Sequence, residues 1–207
     1  MTDTLVRATF KVAEEDLERM VLSKAQLPSP LVGFLQYRER ILTNSTMAEN
    51  GFPGNTLEKL ENIGRITGYV REFVSPLKGP PVEVGTDLVS ATVAHLFRDE
   101  RSASTWMSEE FLSQFERNVG NTIGKDQKLV SVHPLEIEGL YGEGITLCAI
   151  HDGPEGILSS TIVDFRVGCL LGVAYVVTFG EVERTSLVKN LAIELERQIV
   201  KVVLDST

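Results

Sequence analysis

The chain contains few of the residues that usually carry enzyme chemistry or bind metal ions. Two cysteines and three histidines occur among its 207 residues, and none of them is paired in a Cys-x-x-Cys or His-x-x-x-His spacing. Because His95, His133 and His151 lie in separate segments, we predict no metal site. Nucleophile-elbow, dinucleotide-binding and P-loop motifs are also absent. The sequence therefore indicates no catalytic residue and no cofactor.

Positive charge and long apolar runs are scarce as well. The chain has 20 Lys and Arg against 29 Asp and Glu, a formal net charge of -9. Phosphates are bound by clustered basic side chains, so we expect no nucleic-acid partner. No apolar run approaches the roughly 18 residues of a membrane span, and we expect none. The first five residues lack the basic and apolar regions of an export signal, which leaves a cytoplasmic protein or an exported one whose signal was removed.

The composition is otherwise that of a soluble globular protein, with 43% hydrophobic and 24% charged residues. Apolar residues at helical spacing predict a helix over 13–22, and a capping box follows at 23–26. The segment 31–44 fits neither period and is interpreted as extended or irregular, and 55–63 is predicted to form a short helix. We expect residues 1–63 to be a helical and irregular appendage packed on the core.

Alternating apolar and polar residues predict a β-sheet in the rest of the chain. The predicted strands are 65–73, 88–97, 128–137, 144–150, 158–167 and 170–179. The last four follow one another closely, which favours an antiparallel meander with Gly168-Cys169 as a hairpin turn, whereas the Pro- and Gly-rich segment 76–81 breaks the first strand. Helices are predicted from Asp99 to about Val119 and over 184–204. The predicted fold over 64–207 is an α+β sandwich domain: an antiparallel sheet of about six strands with helices packed on it.

Three stretches of this region resemble a known bacterial family. They are Gly64-Arg65-Ile66-Thr67-Gly68-Tyr69, His95-Leu96-Phe97-Arg98 followed by Ala103 and Trp106, and Phe165-Arg166-Val167-Gly168 before an apolar strand. The chain resembles a family of exported, often lipid-anchored domains that includes the extracellular sensor-like domain of PknH-type kinases and related lipoproteins of unassigned function. The resemblance implies a PsbP-like α/β/α sandwich, an extracytoplasmic location and a binding or sensing role, and it brings no catalytic residues. Cys169 departs from the family, which often has Asn or Asp after the glycine of this turn.

A groove between the sheet and its helices is the best sequence-level candidate for a binding site. Tyr69 and Arg71 on one strand, with His95 and Arg166 on others, are the candidate ligand-binding residues, because aromatic bodies with polar tips suit small-ligand pockets. The alternative is that Tyr69 packs in the core while the two arginines are solvated or paired with acidic neighbours. His95, on an otherwise apolar strand face, also fits a hydrogen-bonded core histidine.

Three functions stay open at this level. The leading hypothesis is a non-enzymatic ligand-binding or protein-interaction domain of an exported protein, with an unknown small molecule or protein as its partner. The alternatives are a small enzyme using His95 with a carboxylate as acid and base, and a dimerisation module using an exposed strand such as 128–137, so that both a monomer and a homodimer are possible. Cys148 and Cys169 are compatible with a disulfide and equally with two free thiols.

Overall fold

The computed structural model describes residues 3–76, 82–123 and 126–206, and its centre is a curled antiparallel sheet. Within these ranges the sheet has eight strands: β1 (Leu35–Ile41), β2 (Arg65–Val74), β3 (Asp87–Phe97), β4 (Thr122–Ile123), β5 (Gln127–Leu135), β6 (Gly144–Gly153), β7 (Gly156–Val167) and β8 (Leu170–Phe179). Their order across the sheet is β1-β2-β3-β8-β7-β6-β5-β4. All neighbouring strands are antiparallel. The α+β class is therefore confirmed, as is the meander of the last four predicted strands.

The expected number of about six strands is wrong, because of two further strands one is entirely exposed and the other is very short. All seven residues of β1 are exposed, and four of them are charged or amide side chains. The second addition, β4, has only two residues, which is too short for any pattern. Of the predicted break at 76–81, residues 77–81 lie outside the described residues.

Helices pack on both faces of the sheet. Those in the described ranges are α1 (Asp3–Thr9), α2 (Leu17–Met20), α3 (Asn44–Asn50), α4 (Leu57–Ile63), α5 (Glu100–Thr105), α6 (Leu112–Arg117) and α7 (Thr185–Asp205). The helix predicted after Asp99 is observed as α5 and α6 joined by a π-helical stretch at Trp106–Phe111. The C-terminal helix is confirmed as α7, whereas α1 and α3 have no counterpart among the predicted helices.

The N-terminal third takes part in both the sheet and the core. The strand β1 pairs with β2 at one edge of the sheet. Leu17, Met20 and Leu31 are among the most deeply buried side chains of the protein. The predicted capping box is present, since Oε1 of Gln26 accepts a hydrogen bond from the Ser23 amide at 2.9 Å. A division of the chain into 1–63 and 64–207 stays a prediction.

The two faces of the sheet are covered to different extents. On the first face, α1, α2 and α7 bury the largest apolar cluster against β2, β3, β7 and β8. On the second face, α4, α5, α6 and the π-helical stretch cover the end of the sheet that holds Phe97 and Leu171. The other end of the second face has no helix over it in the described ranges, and this asymmetry positions the candidate site.

The predicted hairpin turn at Gly168-Cys169 is confirmed, and it ties the sheet to α1. Gly168 has φ = 61°, while Cys169 is not among the residues with positive φ, which is the pattern of a type II′ turn. A Cβ at Gly168 would lie 2.3 Å from Oγ1 of Thr9. The Cys169 amide donates to the same oxygen at 3.2 Å, so the turn and the end of α1 fit closely together.

Candidate functional site

The uncovered end of the second face forms a groove of about 980 Å³. Its lining takes in Arg38 of β1, Glu72 of β2, Val89 of β3, Val177 of β8, Leu158 of β7, His151 of β6 and Gln127 of β5. Seven neighbouring strands would extend over roughly 29 Å in a flat sheet, at about 4.8 Å between strands. Because one cavity contacts all seven, the sheet must curl around it. The volume lies at the upper end of the range of about 300–1,000 Å³ that is typical of small-molecule sites.

The burial of β8 shows that this face of the sheet is less closely covered than the first face. Val173, Tyr175, Val177 and Phe179 are half-buried, whereas the alternate residues Gly172, Ala174, Val176 and Thr178 are fully buried. A strand shows this alternation when one of its faces is packed and the other is not.

At the start of β3 a bulge adds a second side chain to the groove. The register with β8 shifts between Asp87 and Val89. An extra residue at a bulge changes the direction in which the next side chain points. Leu88 and Val89, although adjacent in sequence, therefore both line the groove.

A row of polar side chains forms the inner wall of the groove. Glu72 is opposite Ala91, and Ala91 is opposite Tyr175, so these residues lie side by side on β2, β3 and β8. Because Ala91 is small, the Tyr175 hydroxyl reaches past it and donates to Oε1 of Glu72 at 2.5 Å. Nη2 of Arg38 donates to the same oxygen at 3.0 Å, and Nε of Arg38 pairs with Oε2. Three strands thus contribute one connected hydrogen-bond network.

The network fixes the charge of this wall. Glu72 is only 6% exposed, and its carboxylate is neutralised by Arg38. The hydrogen bond to Glu72 raises the pKa of Arg38, which keeps the guanidinium charged. Burial and the Glu72 charge raise the pKa of Tyr175 far above its usual value, which keeps the phenol protonated as a donor.

His151 lies at the outer corner of the groove, opposite Leu158 on β7. Its Nδ1 atom is buried and makes no hydrogen bond within the described part of the chain. Burial lowers the pKa of His151, which favours the neutral imidazole. His151 therefore adds an uncharged polar group at the opposite side from Arg38.

The four binding residues predicted from the sequence do not meet in one place. Tyr69 and Arg71 point to the first face of the sheet, where Tyr69 packs against the main core. Nε of Arg71 donates to Glu39 at 2.6 Å, and Nη1 donates to the carbonyl of Val21 at 3.2 Å. Their role in ligand binding stays a prediction.

His95 and Arg166 lie on the second face but under or beside the helices. His95 is 5% exposed, and its Nδ1 accepts a hydrogen bond from Nη2 of Arg65 at 2.9 Å. Burial and the Arg65 charge hold the pKa of His95 well below its usual value. Arg166 pairs with Glu100 at 2.5 Å and Glu143 at 3.2 Å. Binding of a ligand by these two residues also stays a prediction, and neither lines the groove.

The groove residues could not be recognised as a group from the sequence. Arg38, Glu72 and Tyr175 are widely separated along the chain, and only the order of the strands brings them together. One usable signal is Glu72, a charged residue in the middle of a strand that is otherwise largely buried. A buried carboxylate requires a partner, so its position alone points to a polar network.

Other site types receive no support in the described residues. Cys148 and Cys169 are both buried and both free, so of the two alternatives the free thiols are observed. Across 3–76, 82–123 and 126–206, no three His, Cys, Asp or Glu side chains come together as ligands of a metal ion. No helix in these ranges is long and apolar enough to cross a membrane.

Comparison with known proteins gives a fold and no family. No family model matches the chain, and no curated protein matches it. Among solved structures, the extracellular domain of PknH from Mycobacterium tuberculosis is similar, with a TM-score of 0.58, 12% sequence identity, and coverage of 94% of this chain and 97% of that one. At this identity the similarity shows the fold alone. The chain therefore has a fold like that of the PknH extracellular domain.

Proposed function

We propose that this protein is a non-enzymatic ligand-binding domain that takes a small molecule into the groove on the second face of its sheet. The observation that carries the proposal is the groove itself, in which apolar residues from β3, β7 and β8 lie beside a fixed polar network. Mostly apolar walls with a few positioned polar groups are typical of small-molecule sites.

An extracytoplasmic sensing domain is the biological setting that we propose for this site. The similar structure is, by its description, the extracellular domain of PknH, and it covers nearly all of this chain. The lipid anchor and the PsbP-like relationship implied by the sequence resemblance belong to this proposal as well. A small molecule would be the direct partner, and a protein partner is the alternative.

The surroundings of His95 support the enzyme alternative less well than the groove supports ligand binding. An acid/base histidine needs a substrate within reach and is usually oriented by a carboxylate. His95 is instead buried beside the Arg65 guanidinium, whose own pKa is lowered to about 10 by burial. The environment thus disfavours the protonated imidazole that an acid/base cycle requires.

Binding of the uncharged fluorescent probe N-phenyl-1-naphthylamine tests the proposal. The wild-type protein should bind the probe saturably, with a rise in fluorescence. Val177→Trp and Val89→Trp each fill the groove and should weaken binding by about tenfold or more. Val130→Trp adds the same ring at a residue that is 44% exposed and does not line the groove, and it should bind like wild type.

Circular dichroism of each variant checks that the fold is kept. Unchanged probe binding in both groove variants, with their fold intact, would show that the groove is not the binding site.

A further inference from the structure

The ligand class can be inferred from the ion pairs that the charged residues of the groove already make. Among the described lining residues, the side chains that carry a full charge are Arg38, Glu72 and Glu155. Arg38 is already committed to Glu72 through both Nε and Nη2. The lining therefore offers no cation that lacks an acidic partner.

An anionic ligand could reach the remaining Nη1 of Arg38, where Glu72 already compensates the charge of the guanidinium, or it would have to take Nε and Nη2 away from Glu72. This exchange would leave the Glu72 carboxylate, only 6% exposed, without its counter-ion. The Tyr175 hydroxyl could not compensate, because it already donates to Glu72 and its raised pKa keeps it protonated. Leaving a buried charge unpaired is strongly unfavourable, so the network resists carboxylates, sulfonates and phosphates.

The floor of the groove supplies the complementary, apolar part of the site. From the polar row outwards it contains Val89 and Val177, then Phe179 and Leu158, with the small polar residue Ser160 opposite Val177. Tyr175 and Phe179 are four residues apart on β8, a distance of about 13 Å along an extended strand. A floor of this length fits an elongated apolar molecule.

We infer that the groove selects elongated, uncharged, apolar ligands and rejects anionic ligands of the same shape. This inference rests on the proposed function, since it concerns the same groove. The Arg38–Glu72–Tyr175 network acts as the discriminating element, offering hydrogen bonds to a hydroxyl, carbonyl or amine group without a net charge. His151, with its Nδ1 unpaired in the described structure, adds a second uncharged polar contact at the outer corner.

Two probes that differ by a single charged group provide the test. N-phenyl-1-naphthylamine and 1-anilinonaphthalene-8-sulfonate share one ring system, and only the second carries a sulfonate. We expect the wild-type protein to bind the uncharged probe at least about tenfold more tightly. In competition against the uncharged probe, 1-dodecanol should likewise displace it at lower concentration than dodecanoate.

Glu72→Gln identifies the origin of the selectivity. The glutamine can still accept from Tyr175, but it leaves Arg38 without its counter-ion, so the ratio of the two dissociation constants should fall by about fivefold or more. Glu138→Gln removes one negative charge at an exposed residue outside the groove and should change the ratio by less than about twofold.

The outcomes separate the two proposals. If the anionic probe binds as tightly as the uncharged one and Val177→Trp weakens both, the groove binds ligands but the charge inference is wrong. If the ratio is as expected but Glu72→Gln does not change it, the network is not the discriminating element and the inference is again wrong. If Val177→Trp and Val89→Trp affect neither probe, the proposed function itself fails.

Discussion

Asp164 is a buried carboxyl group on the second face that has no charged partner within the described ranges. It is fully buried on β7, and neither oxygen has a hydrogen-bond partner of good geometry in the described ranges. Burial raises its pKa well above the usual value, and the Phe165 amide opposes this effect only in part. The group therefore costs folding free energy whenever it is ionised.

Asp164→Val should stabilise the protein by about 1–3 kcal/mol at neutral pH, because it removes an unsatisfied buried polar group of similar size. The gain should depend on pH. Because its folded-state pKa is raised, the Asp164 carboxyl stays protonated to a higher pH in the folded protein than in the unfolded chain. The free-energy cost of ionising it is therefore absent below about pH 3.8 and grows as the pH rises to the folded-state pKa. Urea unfolding from about pH 5 to pH 8 should show the difference between variant and wild type holding or increasing with pH.

Asp152→Val is the control for that experiment, because Asp152 is an exposed residue of the neighbouring strand β6. We expect a change within about 0.5 kcal/mol at every pH. A destabilised Asp164→Val protein would show that the carboxyl makes a favourable interaction in the fold.

Gly172 is a second position that a prediction can test, because a single added carbon atom there would disrupt the packing. It lies opposite Phe165, and a Cβ there would be 2.3 Å from Cζ of that ring. Gly172→Ala should therefore destabilise the protein by about 1–3 kcal/mol in urea unfolding. Gly33→Ala, where a Cβ would meet nothing within 4 Å, should be nearly neutral, and equal effects of the two would contradict the packing argument.

At the scale of elements, the helix after β3 begins with a side-chain cap at Asp99, the residue at which the sequence predicts its start. Oδ1 of Asp99 accepts from the Ser102 amide at 2.7 Å. This hydrogen bond is the largest cause of the lowered pKa of Asp99. Because α5 continues through the π-helical stretch into α6, the cap supports the whole layer over Phe97 and Leu171.

Asp99→Ala should lower the free energy of unfolding by about 1 kcal/mol, whereas Asp99→Asn, which can still cap, should lose less. Since the folded-state pKa of Asp99 is depressed, the charged cap contributes fully above about pH 3.8, and its contribution is lost as pH falls through the folded value. Thermal unfolding at neutral pH compares the two variants. Equal losses would show that the cap hydrogen bond is not the stabilising interaction.

Elements with strong apolar periodicity could be predicted from the sequence, and those without it could not. The strands β2, β3, β6, β7 and β8 are largely buried, β8 with a clear alternation and β3 and β6 on both faces, so their apolar-rich runs are visible in the residues. The edge strand β1 buries no residue and contains a bulge near Tyr37, so the alternation of Leu35, Tyr37 and Ile41 with polar residues is too weak to separate a strand from an irregular segment. Its pairing with β2 combines backbone hydrogen bonds, which almost any sequence can make, with the Arg38–Glu72 and Glu39–Arg71 ion pairs, whose partners are far apart in the sequence.

At the scale of the whole molecule, the candidate site arises from incomplete coverage of one sheet face. The first face is covered by α1, α2 and α7, whereas among the described residues α4 to α6 cover one end of the second face. The sequence predicts that helices pack on the sheet, but the extent of their coverage depends on loop lengths and strand order. For this reason Tyr69, Arg71, His95 and Arg166 could be proposed from their types, while the groove itself could not.

A second apolar cavity makes the location of binding the decisive question. It measures about 560 Å³ and lies beside α7, where Leu5, Val200 and Leu204 line it. Probe fluorescence alone would not distinguish this cavity from the groove. Val177→Trp and Val89→Trp distinguish the groove from this cavity through a loss of affinity, which does not itself locate the bound probe.

The most direct test of the account is the set of backbone amide chemical shifts of isotope-labelled protein during titration with N-phenyl-1-naphthylamine. We predict saturable shifts that concentrate on groove residues such as Val89, Leu158 and Val177, with the amides around Val200 and Leu204 unchanged. Shifts confined to α7, or no saturable shift at all, would contradict the claim that the open end of the second face is a ligand-binding site.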